Sequence, residues 1–165
     1  MSGLEELYRE IILDHYRSPR NRGELPSPPA QRVEGFNPLC GDEIVVYIDV
    51  DDASKGDAAS VTDIRISGQG CSISQSSASM MTDAVKDHTV GEIRDLTRAF
   101  KSMMSIHEGG LEGGDGDAAA DAPEIDLGDL EALRGVVKFP VRIKCATLSW
   151  NTLTQALEEA RSAPA

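Results

Sequence analysis

The chain has 165 residues, 40% of them apolar, enough for one domain with a real core and too few for a second of ordinary size. Its formal charge of -12 repels nucleic acid and anionic membrane alike, so neither is expected as a partner. The N-terminus lacks a basic start followed by an apolar stretch, and no run of about eighteen apolar residues occurs, so the expected compartment is the reducing cytoplasm.

In chain order, Leu4, Leu7, Tyr8, Ile11, Ile12 and His15 recur at helical spacing and predict an amphipathic opening helix that ends before Pro19. A Pro-rich connector, Leu25 to Ala30, leads to a short strand over Gln31 to Phe36. Ile44, Val46, Ile48 and Val50 alternate with Val45, Tyr47 and Asp49, the pattern of a strand with one buried face. Asp51 to Ser60 reads as a polar hairpin loop, and Val61 to Ser67 as a third strand that stops at Gly68-Gln69-Gly70. Two helices follow, one from Ser72 to Lys86 and one from Val90 to His107. Glu108 to Asp126 holds seven acids and no Lys or Arg, which predicts a flexible acidic insert and accounts for much of the net charge. Ile125 to Val137 resumes a helix-like pattern, and Cys145 to Ala160 predicts a final helix. The expected architecture is a single α+β domain, a three-stranded antiparallel sheet with helices packed on it.

The three cysteines, an odd count, occupy particular settings. Cys40 lies in Asn37-Pro38-Leu39-Cys40-Gly41-Asp42, on a turn that Pro38 and Gly41 make sharp, two residues from a carboxylate. Cys71 precedes one predicted helix and Cys145 opens another, so both sulfurs are expected near helix ends that favour thiolate over thiol. Three thiolates with Asp42 make a plausible tetrahedral set for zinc or for iron-sulfur chemistry. Taken singly, each cysteine fits equally a small buried residue, and Asp42 a turn residue. His15, His88 and His107 show no paired acid in sequence and read as surface or packing residues. Met80, Met81, Met103 and Met104 read as core filler, and Gly113 to Asp117 as loop rather than a calcium repeat.

Four segments carry a resemblance across nearly the whole chain: Tyr8 to Gly23 with His15-Tyr16 and Pro19-Arg20-Asn21-Arg22-Gly23, Asn37 to Asp42, Gly68 to Ser74, and Lys138 to Trp150. Together they resemble the U-type iron-sulfur assembly proteins. Lys144 stands where scaffold members of that family carry a histidine before the third cysteine, and the insert between the second and third cysteines is similar to the SufU branch.

The resemblance implies a zinc-dependent sulfur-transfer protein. Cys40, Asp42, Cys71 and Cys145 would bind one zinc, and Cys40 would accept sulfur from the persulfide of a pyridoxal-phosphate cysteine desulfurase of the SufS type. A histidine of that desulfurase would take over as zinc ligand and free Cys40, and the sulfur would pass to the Suf scaffold machinery downstream. Arg142 and Lys144 are placed to temper the negative charge of the site, and Arg17, Arg20 and Arg22 to offer a basic docking surface. Two other readings use the same residues: a scaffold for a nascent [2Fe-2S] cluster, and a non-catalytic zinc-stabilised adaptor of the desulfurase.

Overall fold

The computed structural model describes residues 2–27, 30–38, 40–112 and 127–162. Helix α1 (Ser2–Arg17) leads to strands β1 (Gln31–Asn37), β2 (Asp42–Val50) and β3 (Val61–Gln69), then to helices α2 (Ser72–Val85) and α3 (Val90–Glu112), a 3-10 stretch (Gly128–Lys138) and helix α4 (Pro140–Ser162). The strands form one antiparallel sheet in the order β1-β2-β3, the architecture the sequence predicts.

Register follows from which residues avoid water. Val33 faces Val46, Gly35 faces Ile44, and Ile48 faces Ile64, so these residues line one side of the sheet, while buried Tyr47 lies on the other under Arg32. Helix α4 packs along β1 and β2, and α2 along β3. Gly35 is required at the first of these contacts, because a Cβ there would collide with the Thr152 hydroxyl of α4. Beyond β3, Gly23 and Ile66 donate their backbone N–H groups to the carbonyls of Ile66 and Asn21, so the segment after α1 covers that edge.

Helix α2 is built mainly of Ser, Ala and Met, yet nearly every residue from Ser74 to Thr82 is buried. Small side chains let α1 and α4 approach it closely, and most of its buried hydroxyls are hydrogen-bonded, Ser74 Oγ being an exception. Ser77 donates to the Ala146 carbonyl at 2.6 Å and accepts from Trp150 Nε1 at 3.2 Å. Trp150 in turn stacks on Phe100 of α3, with ring centroids 4.7 Å apart. Met80, Met81, Met103 and Met104 are all buried, as expected of core filler.

Apart from the start of α4, four features differ from the expectations. The hairpin loop contains a 3-10 segment, Ala53–Ala58, started by Asp52, whose carboxylate accepts the Ser54 N–H at 3.0 Å. Helix α3 runs on through Glu112, into the start of the expected acidic insert, because extending an established helix adds a hydrogen bond for each residue ordered. Residues 113–126, which hold the rest of that insert and the Gly113 to Asp117 motif, lie outside the described residues, as does the side chain of His107. The helix-like stretch before α4 is 3-10 rather than α.

The fourth difference is His15, which is 1% exposed and paired. Its Nδ1 lies 2.8 Å from Ser79 Oγ and its Nε2 lies 3.0 Å from Asp129 Oδ2, tying α1 to α2 and to the 3-10 stretch. Ser79 Oγ also accepts the Arg20 N–H at 2.8 Å. His15→Ala should lower the unfolding free energy by about 2 to 4 kcal/mol, since it opens a cavity and removes a hydrogen-bond partner of a buried hydroxyl. Urea denaturation followed by circular dichroism measures this, and a loss below ~1 kcal/mol would show the network to be dispensable.

Candidate metal centre

The centre is assembled where the β1–β2 hairpin turns. Asn37 and Asp42 face each other as the last pair of the two strands, and the turn joining them carries Cys40. Gly41 has φ +68°, a left-handed conformation that glycine adopts at no steric cost. Alternation then fixes the direction of Asp42: it shares the inward side of β2 with Ile44 and Val46 and is 0% exposed.

Its carboxylate is held from two directions. Oδ1 accepts the backbone N–H of Cys71 at 2.9 Å, and Oδ2 accepts from Asn37 Nδ2 at 3.4 Å. Gly70 makes room, because a Cβ there would sit 2.5 Å from Asp42 Oδ1. Gly70→Ala should therefore push Asp42 out of place. After incubation with zinc, the variant should retain well less metal than wild type at unchanged helix content, read by metal analysis and circular dichroism; equal retention would show that Asp42 tolerates the shift or that the site holds no zinc.

Cys71 caps α2. Its backbone is extended, and its Sγ accepts the Ser74 N–H at 3.4 Å, the role usually filled by an oxygen. The sulfur lies 4.0 Å from Asp42 Oδ2. Its predicted position at a helix N-terminus is correct.

Cys145 departs from its predicted position. Helix α4 begins at Pro140, since proline suits a first turn that needs no N–H, so Cys145 lies inside the helix rather than at its opening. Burial pushes its thiol well above the ordinary range, and hydrogen bonds with Cys40, Asp42 and Cys71 add to the shift. The expected thiolate-favouring helix end is absent for this residue; a cation bound at its sulfur would supply that stabilisation.

The sulfurs of Cys145 and Cys40 lie 3.2 Å apart, and both thiols are free. The donor atoms of Cys40, Asp42 and Cys145 all fall within 4.8 Å of one another. Ligands on a tetrahedral zinc, with Zn–S near 2.3 Å, stand roughly 3.5 to 4 Å apart, so these three donors fit one site, with the Cys71 sulfur beside them at 4.0 Å from Asp42 Oδ2 but outside that close group. The carboxylate strengthens the fit: among the described residues Asp42 is hydrogen-bonded to Asn37 and Cys71 but ion-paired to no Lys or Arg, and a buried charge without a counter-ion is costly.

Of the supporting residues, Arg142 lies over the sulfurs. A hydrogen bond to Cys145 and the nearby charges of Cys71, Cys145 and Cys40 push its guanidinium up from its ordinary value. Lys144 is exposed and has no such bond to a sulfur among the described residues. Arg20 donates to Asp14 Oδ2 at 2.6 Å and to the Ser18 carbonyl, while Arg22 donates to the Gly68 carbonyl at 2.7 Å and to Gln75 Oε1. Both therefore brace the fold, Arg22 beside the approach to Cys71; Arg17 is exposed at the end of α1. Sequence reasoning gave Asn37 no role, although its place opposite Asp42 in a tight hairpin was a usable signal.

A small antiparallel sheet backed by helices, with two thiols and a buried carboxylate close enough to share a metal ion and a third thiol beside them, frames a candidate thiolate-rich metal centre. The chain belongs to the NifU-like N terminal domain family, whose pattern matches residues 7–146. It is 44% identical over 156 residues, 94% of this chain and 92% of the other, to the zinc-dependent sulfurtransferase SufU of Bacillus subtilis. It is 36% identical over 163 residues to the iron-sulfur cluster assembly scaffold protein IscU of Streptococcus pyogenes, covering 99% of this chain and 90% of that one. Among solved structures, an iron-sulfur cluster assembly scaffold protein for the SUF system from Fervidobacterium islandicum superposes with a TM-score of 0.65 at 28% identity, covering 90% of this chain and 94% of the other.

Proposed function

We propose that this protein is a zinc-dependent sulfurtransferase of iron-sulfur cluster assembly, acting in the cytoplasm. It takes sulfane sulfur onto Cys40 from the persulfide of a pyridoxal-phosphate cysteine desulfurase and passes it to the Suf machinery. The observation that carries this reading is the position of Cys40: its sulfur sits among the donor atoms yet rides on a half-exposed hairpin turn, where a second protein can reach it. The likeness to the Bacillus subtilis sulfurtransferase supports the same choice.

Cys40, Asp42, Cys71 and Cys145 would hold the zinc. Bound zinc holds sulfur as thiolate and brings no redox chemistry of its own. In the transfer step the Cys40 thiolate attacks the outer sulfur of the partner's persulfide. A new sulfur–sulfur bond forms at Cys40, the partner's sulfur–sulfur bond breaks, and its electron pair leaves on the partner's cysteine thiolate. Arg142 offers a positive charge beside the sulfurs throughout.

The rim of the site suits a protein partner. Phe36, Phe139 and Val141 are 61%, 63% and 58% exposed, on the segments that lead into the Cys40 turn and into Cys145. Large apolar side chains left in water beside a reactive group mark a face that is covered in a complex. Arg17, Arg20 and Arg22 would add a basic docking surface, Arg20 and Arg22 while also bracing the fold, and no described helix is long and apolar enough to cross a membrane.

The test is the rate of alanine formation by a cysteine desulfurase in iron-free buffer with a mild reductant. Strong stimulation by the zinc-loaded protein is expected, together with one extra sulfur on Cys40 by peptide mass mapping. Absence of stimulation, with a coloured cluster forming on this chain once ferrous iron is added, would hand the function to the scaffold reading that the Streptococcus relative's name suggests.

A further inference from the structure

The four donor groups of the centre are not held alike. Asp42 accepts N–H groups from Cys71 and from Asn37. Cys71 Sγ accepts the Ser74 N–H at 3.4 Å, and Cys145 Sγ accepts from Asn37 Nδ2 at 3.7 Å. Cys40 Sγ accepts no N–H from any described residue; its recorded neighbour is the Cys145 sulfur.

Two of these bonds come from one side chain. Asn37 is 6% exposed, and its amide carries two N–H groups, one for the Asp42 carboxylate and one for the Cys145 sulfur. Both neighbours are acceptors once ionised, so the NH2 end rather than the carbonyl end faces them. The strand pairing of Asn37 with Asp42 sets its position, and burial keeps water from competing for either bond.

We infer that Asn37 is a positioning residue that holds Asp42 and Cys145 in the ligand set, while Cys40, which accepts no N–H from any described residue, is left free to exchange. A hydrogen bond to an ionised sulfur or oxygen draws off charge and lowers its readiness to exchange or attack. Asn37, Ser74 and the Cys71 backbone quieten three donors in this way, and no N–H of a described residue does so for the fourth. The choice of acceptor among three cysteines is then written into the hydrogen bonds around the centre. Exposure alone does not make this choice, since Cys40 and Cys71 are both half-exposed.

The inference rests on the zinc-site reading, and its tests use no sulfur transfer, so a failed transfer reaction would leave their results unchanged. Limited alkylation of the zinc-loaded wild-type protein with iodoacetamide, followed by peptide mass mapping, should find Cys40 modified before Cys71. Modification of Cys71 or Cys145 first overturns the assignment. Asn37→Leu, of similar volume without donors, should weaken zinc binding about 10- to 100-fold in competition with a chromophoric chelator, the usual cost of removing a partner of a metal ligand. With cobalt in place of zinc, the thiolate-to-metal charge-transfer band of this variant should move to lower energy, because the Cys145 sulfur has lost a hydrogen bond. A residue that only supported the fold would leave that band in place. Asn37→Asp keeps the shape, replaces the donors by a charged oxygen and serves where Asn37→Leu does not fold; its zinc affinity should fall further. Zinc affinity within about twofold of wild type in either folded variant, with the cobalt band unmoved, would overturn the role of Asn37.

Discussion

Cys40→Ser is expected to abolish the whole stimulation of a cysteine desulfurase in the iron-free assay, leaving the rate of the desulfurase alone. The replacement is small and lies on a turn, so the hairpin should close as before, with Asn37 still opposite Asp42. What disappears is the nucleophile: a serine hydroxyl stays protonated where a metal-held sulfur is a thiolate, and sulfur–sulfur exchange needs the thiolate. Asp42, Cys71 and Cys145 remain, so the variant should keep measurable, weaker zinc binding, which shows that the loss is one of chemistry and not of folding. Stimulation retained by a folded, zinc-binding Cys40→Ser protein would leave the adaptor reading, in which contact alone activates the desulfurase.

The second large effect is expected at Asp42. Asp42→Ala removes the one oxygen donor and leaves the Cys71 N–H and the Asn37 amide facing a void, in a position that is 0% exposed. An unsatisfied buried donor costs about 1 to 3 kcal/mol. Because removing a mere partner of a ligand already costs about 10- to 100-fold in metal affinity, losing the ligand itself should cost at least ~10-fold. Chelator competition reads this directly. The rise in melting temperature on adding zinc should also shrink, since bound metal stabilises the folded chain in proportion to the logarithm of its affinity. Unchanged affinity would remove Asp42 from the ligand set.

The parts of this structure that could be read from sequence were those set by short-range pattern. Alternation of apolar residues placed β2 and β3 within a few residues, because a sheet with one wet face imposes a period of two. The Pro-Leu-Cys-Gly-Asp turn and the Gly-Gln-Gly before Cys71 marked the two places where chain direction changes beside a sulfur. Cys145 was misplaced for a local reason: the helix was begun at the cysteine, whereas Pro140 suits a first turn and starts it earlier. The His15 pair escaped because its partner lies 114 residues away, across the acidic segment, and no local pattern encodes a contact of that length. Asn37 was overlooked because its significance depends on register: only the pairing of β1 with β2 puts it against both Asp42 and Cys145.

The distribution of the donors along the chain has a mechanical meaning. Cys40 and Cys145 are 105 residues apart, so a shared ion would act as a cross-link across most of the fold, joining the hairpin to α2 and α4. For a covalent cross-link that closes a loop of about a hundred residues, the chain-entropy estimate is about 4 to 5 kcal/mol. Cys40 and Asp42 both belong to the hairpin, however, and the loop is closed by either. Were Cys40 to leave the ion, Asp42 would still tie the hairpin to α2 and α4, so the set would give up one donor without reopening the loop.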